Sequence, residues 1–402
     1  MSQNTDFIPF ARPLLGPEEE EAAVRVMRSG WMTTGAEALA FEREFAAFVG
    51  SPRALAVNSA TSGLHLALEA LGVGPGDTVI TSPYTFTSSA AVARHLGAEL
   101  RFCDVAPGSY NMDPRALGEA LGSAKNCKAV ILPHIGGLPA RTAEIKALAD
   151  RYGCALVEDA AHAFPSATGD GYAGTLGRVG VYSFYATKTI TTGEGGMVVT
   201  ADEELAARMS RMRMHGIDRE VWDRYTSKKA AWAYQVTEAG FKYNLPDILA
   251  AIGRVQLRRA ADFLAMRRAI AARYDAAFAG VPGFVLPPRG EGHAWHLYAL
   301  RLDEEALGVG RDEFIERMAA LGVGCSVHFI PLHIMPYYAE RYGLKPEDFP
   351  EAYAMYRASV SLPIWQGMDE ARTEKVVRAA LAAAAPSSGT GTARSAGAAD
   401  RP

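Results

Sequence analysis

Apolar residues change their period along the chain. From Pro17 to Gly30 they recur at helical spacing (Ala22, Val26) behind an acidic start, and Gly30 supplies a stop. A second helix is expected over Ala38 to Phe48, ending at Gly50. From Ala54 the pattern becomes a series of short β-rich runs: ALAVNS, TVITS, ELRFCDV, AVILPH, ALVED, VYSF and MVVT. Helix-like segments such as GLHLALEALG, SAAVARHLG and RTAEIKALADRYG separate several of them. Apolar runs of this length alternating with helices predict an α/β fold on a mainly parallel, seven-stranded sheet covered on both faces. The short interval between VYSF and MVVT predicts a local antiparallel pair.

The alternation fades beyond about residue 205. One long helix is expected over Leu245 to Ala279, with apolar Ile248, Ile252, Val255 and Phe263, before Gly280, Pro282, Pro287 and Pro288 break the chain. A smaller α+β region follows: HAWHLYALRL as a strand, Arg311 to Leu321 as a helix, VGCSVHF as a strand and a closing helix from about Asp369. The expected organisation is an N-terminal arm (1–11), a large domain (12–255), a small C-terminal domain (256–385) and a small-residue, polar tail (386–402) read as disordered.

Composition narrows the function classes. With 402 residues, 49% of them hydrophobic, the chain can bury a sizeable core. Its net charge of -4 is spread without blocks of one sign, so nothing points to nucleic acid or an anionic membrane as partner. No apolar run has signal-peptide or membrane-spanning length, and a cytoplasmic location is expected. Cys103, Cys127, Cys154 and Cys325 lie far apart with no C-x-x-C, which argues against a disulfide framework or a zinc site and for small buried residues in a reducing compartment.

Three runs carry candidate chemistry. In AVNSATSGLHLALEALG a strand ends in small polar residues and a helix begins at Thr61 or Ser62. Its free N–H groups and dipole suit a phosphate, although an ordinary N-cap reads the same way. The absence of G-x-x-x-x-G-K-[ST] and of G-x-G-x-x-G after a strand argues against nucleoside triphosphate and dinucleotide sites. In CALVEDAAHAF an apolar strand delivers Glu158 and Asp159 to its carboxyl end, where open α/β sheets bind ligands. A carboxylate buried there needs a cationic partner, and a protonated pyridine nitrogen is one; capping of the next turn is the alternative. In VYSFYATKTITTGEGGMVVT a strand delivers Ser183, and a polar turn holds Lys188 before the glycines of GEGG. Desolvation of a lysine in such a place lowers its pKa and frees the amine to attack an aldehyde. Gly193, Gly195 and Gly196 are expected to permit positive φ or close backbone approach.

In combination, SATSG, SPYTFTSSA, VEDAAHA, SFYATKTITTGEGG and GFKYNLPDILAAIGRVQL, in this order, resemble the DegT/StrS family of fold-type-I aminotransferases that use pyridoxal 5'-phosphate (PLP) and act on nucleotide-linked keto-sugars. The resemblance runs from PFARPLLG to SLPIW, nearly the whole chain. It implies that Lys188 carries the cofactor as a Schiff base and that Asp159 partners the pyridine nitrogen. It places His162 beside the ring substituents, Phe86 stacked on the ring, and Ala60, Thr61 and Ser183 at the phosphate. Asn244 matches a residue that reaches the phosphate from a neighbouring subunit, which implies a homodimer with shared sites. HGI, GFKYN, HAWHLYALRLDEE and VHFIPLH look most like members that aminate a 4-keto sugar on UDP, with glutamate as donor. The resemblance also admits an aminotransferase for a cyclitol or other ketone. A sugar dehydratase of the same family is less favoured, since in that activity His replaces the lysine.

Two positions depart from the pattern: Thr189 stands where Asn is usual after the lysine, and Ile135 precedes Gly136 where an aromatic is common. His328 and His333 straddle a proline turn with no acid cluster, so no metal site is expected. His293 and His296 read as satisfied structural residues. Trp222, Trp232, Lys228 and Lys229 fall in an expected loop that either covers a neighbouring site or stays exposed.

Overall fold

The computed structural model describes residues 7–218 and 234–385. The loop holding Trp222, Lys228, Lys229 and Trp232, the tail from 386 and residues 1–6 of the arm lie outside the described residues.

Helix α1 (Pro17–Ser29) and helix α2 (Ala36–Val49) form where the periodicity put them. Gly30 and Gly50 end them in the left-handed conformation (φ 77° and 71°). Strand β1 (Arg53–Val57) leads into α3 (Ala60–Ala70), β2 (Thr78–Thr81) into α4 (Ser88–His95), and β3 (Glu99–Phe102) into α5 (Pro114–Ser123). Then come β4 (Cys127–Pro133), α6 (Thr142–Arg151), β5 (Ala155–Asp159), a small ladder of β6 (Ala167–Thr168) and β7 (Gly171–Tyr172), β8 (Val179–Ser183), β9 (Gly196–Thr200) and α7 (Glu203–Met212). Seven of these strands form one sheet in the order β1-β9-β8-β5-β4-β2-β3. The pairs β8–β5, β5–β4, β4–β2 and β2–β3 are parallel, and β9 runs antiparallel to both β1 and β8.

Strand alternation explains why helices cover both faces. In β1, Ala54 and Ala56 point toward Phe41 and Phe45 of α2, while Leu55 and Val57 pack with Leu64, Leu66 and Leu68 of α3. In β4, Val130 and Leu132 meet α5 and α6 residues such as Leu117 and Ile145, and Ala129 and Ile131 join the α3–α4 side.

Beyond the sheet come α8 (Asp247–Arg258), α9 (Ala260–Phe278), β10 (Phe284–Val285), β11 (Tyr298–Leu302), α10 (Glu304–Leu307) and α11 (Arg311–Ala320). The chain closes with α12 (Pro336–Tyr342), α13 (Pro350–Ala358), β12 (Ser359–Leu362) and α14 (Glu370–Ala384). A second core gathers α9, α11, α14 and the antiparallel sheet β10-β11-β12, with Ile8 from the arm packed into it.

Three expectations fail here. The single helix over Leu245 to Ala279 is two, broken at Arg259 (φ -94°, ψ 2°). No proline or glycine marks the break; the Arg259 guanidinium binds Glu19 at 2.6 Å and lies 4.8 Å over the Phe263 ring. HAWHLYALRL is a strand only from Tyr298. Its first residues hydrogen-bond elsewhere, with Ala294 and Leu297 N–H donating to Gly137 and Gly136 carbonyls, and Trp295 sits at φ 51°. VGCSVHF forms no strand, because its partners are split: Val323 bridges Ile8, and Ser326 bridges Ser361.

Candidate active site

Strands β1, β2, β4, β5 and β8 all end on one side of the sheet, and the turns that follow them line a cavity of about 550 Å³. This is where an open α/β sheet places a ligand.

The turn after β1 brings Ala60 and Thr61. Ser59 caps α3: its hydroxyl accepts from Ser62 N–H (3.1 Å), and Ser59 N–H donates to the Ser62 hydroxyl (3.2 Å). This reciprocal box starts the helix at Ala60 and leaves the first-turn N–H groups of Ala60 and Thr61 facing the cavity end of the helix dipole. The helix sits close because Gly196 of β9 has no side chain; a Cβ there would lie 2.8 Å from Ala60 N and from Ser59 C. Gly193 takes φ +83°, whereas Gly195 and Gly196 serve close approach.

The turn after β2 brings Phe86, whose ring is 57% exposed and lines the cavity. The same turn supplies a feature the sequence did not single out. Thr85 and Ser89 hydroxyls lie 3.0 Å apart, and Ser89 donates to Asp159 Oδ2 at 2.6 Å. Asp159 Oδ1 accepts from Ala161 N–H at 3.2 Å. The buried carboxylate is thus oriented from both sides.

The two acids at the end of β5 part company, as strand alternation demands. Asp159 faces the cavity. Glu158 faces away, pairing with His134 Nε2 (2.9 Å) and accepting N–H groups of Gly174, Leu176 and Gly177. Burial alone would raise the Glu158 carboxyl, but His134 and these N–H donors carry it below its ordinary range. Glu158 is a structural tie.

Lys188 lies in the turn after β8, with Ser183 at that strand's end, and both line the cavity. The Lys188 amine has its pKa lowered to about 8: burial lowers it, Asp159 opposes, and the Arg267 cation adds to the lowering. The pocket wall also carries histidines, among them His162, His296 and His328. His162 stacks on Phe329 (5.4 Å, 25°) and lies 4.3 Å from His296, and Gly136 N–H points at His162 Nδ1 (3.4 Å). Burial first, then Lys188 and His328, hold His162 well below its ordinary pKa. His328 is lowered to about 4 by burial and Lys188.

His296 departs from expectation. It lines the cavity, and its Nδ1 is buried with no hydrogen-bond partner. His293 is satisfied: it stacks on Trp295 at 4.0 Å and accepts Trp295 N–H. His333 is buried apart from the cavity, 5.0 Å from Phe349. Ile135 lines the cavity where the departure from the family pattern was noted. Asn244 does not line the cavity of its own chain; it lies beside Val57 and donates to the Thr34 hydroxyl at 2.6 Å.

The model of the DegT/DnrJ/EryC1/StrS aminotransferase family matches residues 13–381. The chain belongs to that family. It is 42% identical over 382 residues to the spore coat polysaccharide biosynthesis protein SpsC of Bacillus subtilis, covering 94% of this chain and 97% of that one. Among solved structures it is similar to Helicobacter pylori PseC, an aminotransferase involved in the biosynthesis of pseudoaminic acid (TM-score 0.86, 26% identity, 94% of this chain and 99% of that chain). It is also similar to the PLP-form of Spr1654 from Streptococcus pneumoniae (TM-score 0.85, 26% identity, 94% and 98%). The fold is that of fold-type-I, PLP-dependent sugar aminotransferases, and the chain is such an enzyme. The cavity fits the cofactor: an amine of lowered pKa, a buried carboxylate and a helix N-terminus converge on it.

Proposed function

We propose that this aminotransferase converts a nucleotide-linked keto-sugar, a UDP-4-keto sugar, to the amino sugar, with glutamate as amino donor and Lys188 and Asp159 as the catalytic pair. The observation that carries the assignment of the pair is their placement in one cavity, with Lys188 at a pKa near 8 and Asp159 oriented by Ser89 and Ala161.

When bound, PLP supplies an aldehyde that takes up the amino group and a pyridine ring that withdraws electrons. Asp159 keeps the ring nitrogen protonated. Lys188 would anchor the cofactor through its amine and, as a positioned neutral base, would take up and return a proton at the substrate carbon. Phe86 would offer its aromatic face to the cofactor ring. Ala60, Thr61 and Ser183 would hold the phosphate, Asn244 would reach it from a second copy, and His162 would stand on the side of the ring substituents.

The sugar reading is supported by the similarity to proteins of polysaccharide and pseudoaminic acid biosynthesis. Imidazoles held neutral by burial also suit hydroxyl groups. The 4-keto position and the UDP group rest on the GFKYN and VHFIPLH runs. We read 12–255 as the cofactor domain and 256–385 as the small domain, in keeping with the break at Arg259 and the separate core beyond it.

The test is to incubate the holoenzyme with glutamate and a panel of UDP- and dTDP-linked 4-keto and 3-keto sugars and an inosose, and to identify products by mass and NMR. A 4-amino UDP-sugar is expected; amination of the inosose alone would replace the reading with a cyclitol aminotransferase. Lys188→Ala should abolish turnover and the visible absorbance of the bound cofactor.

A further inference from the structure

Among the described residues, the largest fully buried side chain is a cation. Arg267, on α9, is 1% exposed. Among the described residues it makes no ion pair; every acceptor it meets is neutral. One terminal nitrogen donates to the carbonyls of Trp295 (3.1 Å), His296 (3.2 Å) and Ile364 (2.7 Å), the other to Gln366 Oε1 (3.1 Å), and Nε has no partner. A guanidinium taken out of water without a carboxylate is costly, and a well-packed apolar residue in its place would spare that cost. Anchoring two loops does not by itself require a full charge.

The placement of those partners gives the charge a use. Gln366, held by Arg267, passes its amide N–H to the carbonyl of Thr189, the residue after Lys188. The His296 carbonyl that Arg267 binds belongs to the residue whose ring meets His162 over the cavity. Arg267 therefore reaches the lysine turn through one side chain and the imidazole wall through one backbone bond. Its charge is also felt directly at the Lys188 amine and at the His296 ring.

We propose that Arg267 is a positioning residue that fixes the Lys188–Thr189 turn through Gln366 and, as a buried charge with no carboxylate partner, disfavours a second positive charge on the nitrogen of Lys188. The charges that act on Lys188 most are Asp159, which favours its protonation, and Arg267, which opposes it; Glu194 also lines the cavity, and His162, His296 and His328 share it as neutral rings. The fold thus sets a buried cation on one side of the nitrogen against a carboxylate on the other. The proposal rests on Lys188 being the residue that takes the cofactor.

The test is a pH titration of the visible absorbance of the holoenzyme, which reports the proton on the nitrogen that Lys188 contributes. Arg267→Lys loses the fork of hydrogen bonds and puts in its place an amine that sheds its proton readily when buried, so it should be less thermally stable and its midpoint should fall between those of the parent and the neutral variants. Arg267→Gln and Arg267→Met remove the charge and should raise the midpoint by roughly one pH unit or more. Gln replaces the fork with a hydrogen-bonding amide, which gives a folded neutral variant if Met proves too disruptive. A neutral variant that titrates at the parent midpoint would overturn the proposal and leave Arg267 a structural anchor. A parent band that survives Lys188→Ala would instead overturn the assignment of the lysine, so the two failures are distinguishable.

Discussion

At the scale of single residues, the site works by moving proton affinities. An ordinary lysine is neutral only above pH 10.5, whereas the Lys188 amine, buried and near Arg267 with only Asp159 opposing, crosses at about 8. The neutral, nucleophilic fraction therefore grows as pH rises through about 8 and is nearly complete well before 10.5. The rate at which apoenzyme takes up PLP, followed by the return of visible absorbance, should climb through that range and level off; a climb continuing to 10.5 would show an unperturbed amine. Asp159→Asn keeps the shape and removes the charge. Electrostatic contributions of this kind are worth roughly 10²–10³ in turnover, and steady-state kinetics should show a loss of that order. Ser89→Ala, which removes only the 2.6 Å hydrogen bond to the carboxylate, should cost less. That Lys188 and Asp159 reach one cavity was legible in the sequence because each sits inside a run that also announces its strand. Ser89, His296 and Arg267 were not. Each becomes part of the site only when the fold brings a helix or turn from elsewhere beside it, and no local pattern distinguishes a serine on α4 that faces a carboxylate from one that does not.

Whole elements show the same division. The seven sheet strands could be read because burial on both faces demands continuous apolar runs, and that demand is local. The break at Arg259 could not, since it is held by Glu19 of a helix far away in the chain. VGCSVHF misled because β-branched composition signals a strand only where a neighbouring strand is available to pair. A comparable long-range tie starts α2. Its N-cap is Gly35, which has no side chain to satisfy the first turn, and Asp247 at the start of α8 does so instead, accepting N–H groups of Gly35 (2.7 Å), Ala38 (3.0 Å) and Glu37 (3.2 Å). Asp247 is 3% exposed, so water cannot substitute freely. Asp247→Ala leaves buried donors unmet and should destabilise the fold by about 2–3 kcal/mol, read as a lower denaturant midpoint with unchanged slope. Asp247→Asn, which keeps one acceptor oxygen, should recover part of that loss.

For the whole molecule, the open question is whether one chain completes a site. The resemblance assigned Asn244 to a neighbour's phosphate, and in its own chain it lies beside Val57 without lining the cavity. Phe86 and Tyr185, both exposed, line the cavity of the single chain. If two copies exchange Asn244 across a two-fold axis, defects in different chains must complement in a predictable way. A chain carrying Lys188→Ala and one carrying Asn244→Ala are each inactive alone, because every site lacks one group. In the mixed dimer both defects fall in the same site, and the other site receives an intact lysine from one chain and an intact asparagine from its partner. Random exchange makes half the dimers mixed, each with one good site of two, so activity should return to roughly a quarter of the parent. If Asn244 served its own chain, every site in the mixture would carry one defect and mixing would restore nothing. Denaturing the two variants together, refolding them with PLP and measuring turnover decides between these outcomes. Recovery near a quarter also requires an exchange-competent dimer, so a single number reports both the assembly and the route by which the second copy enters the site.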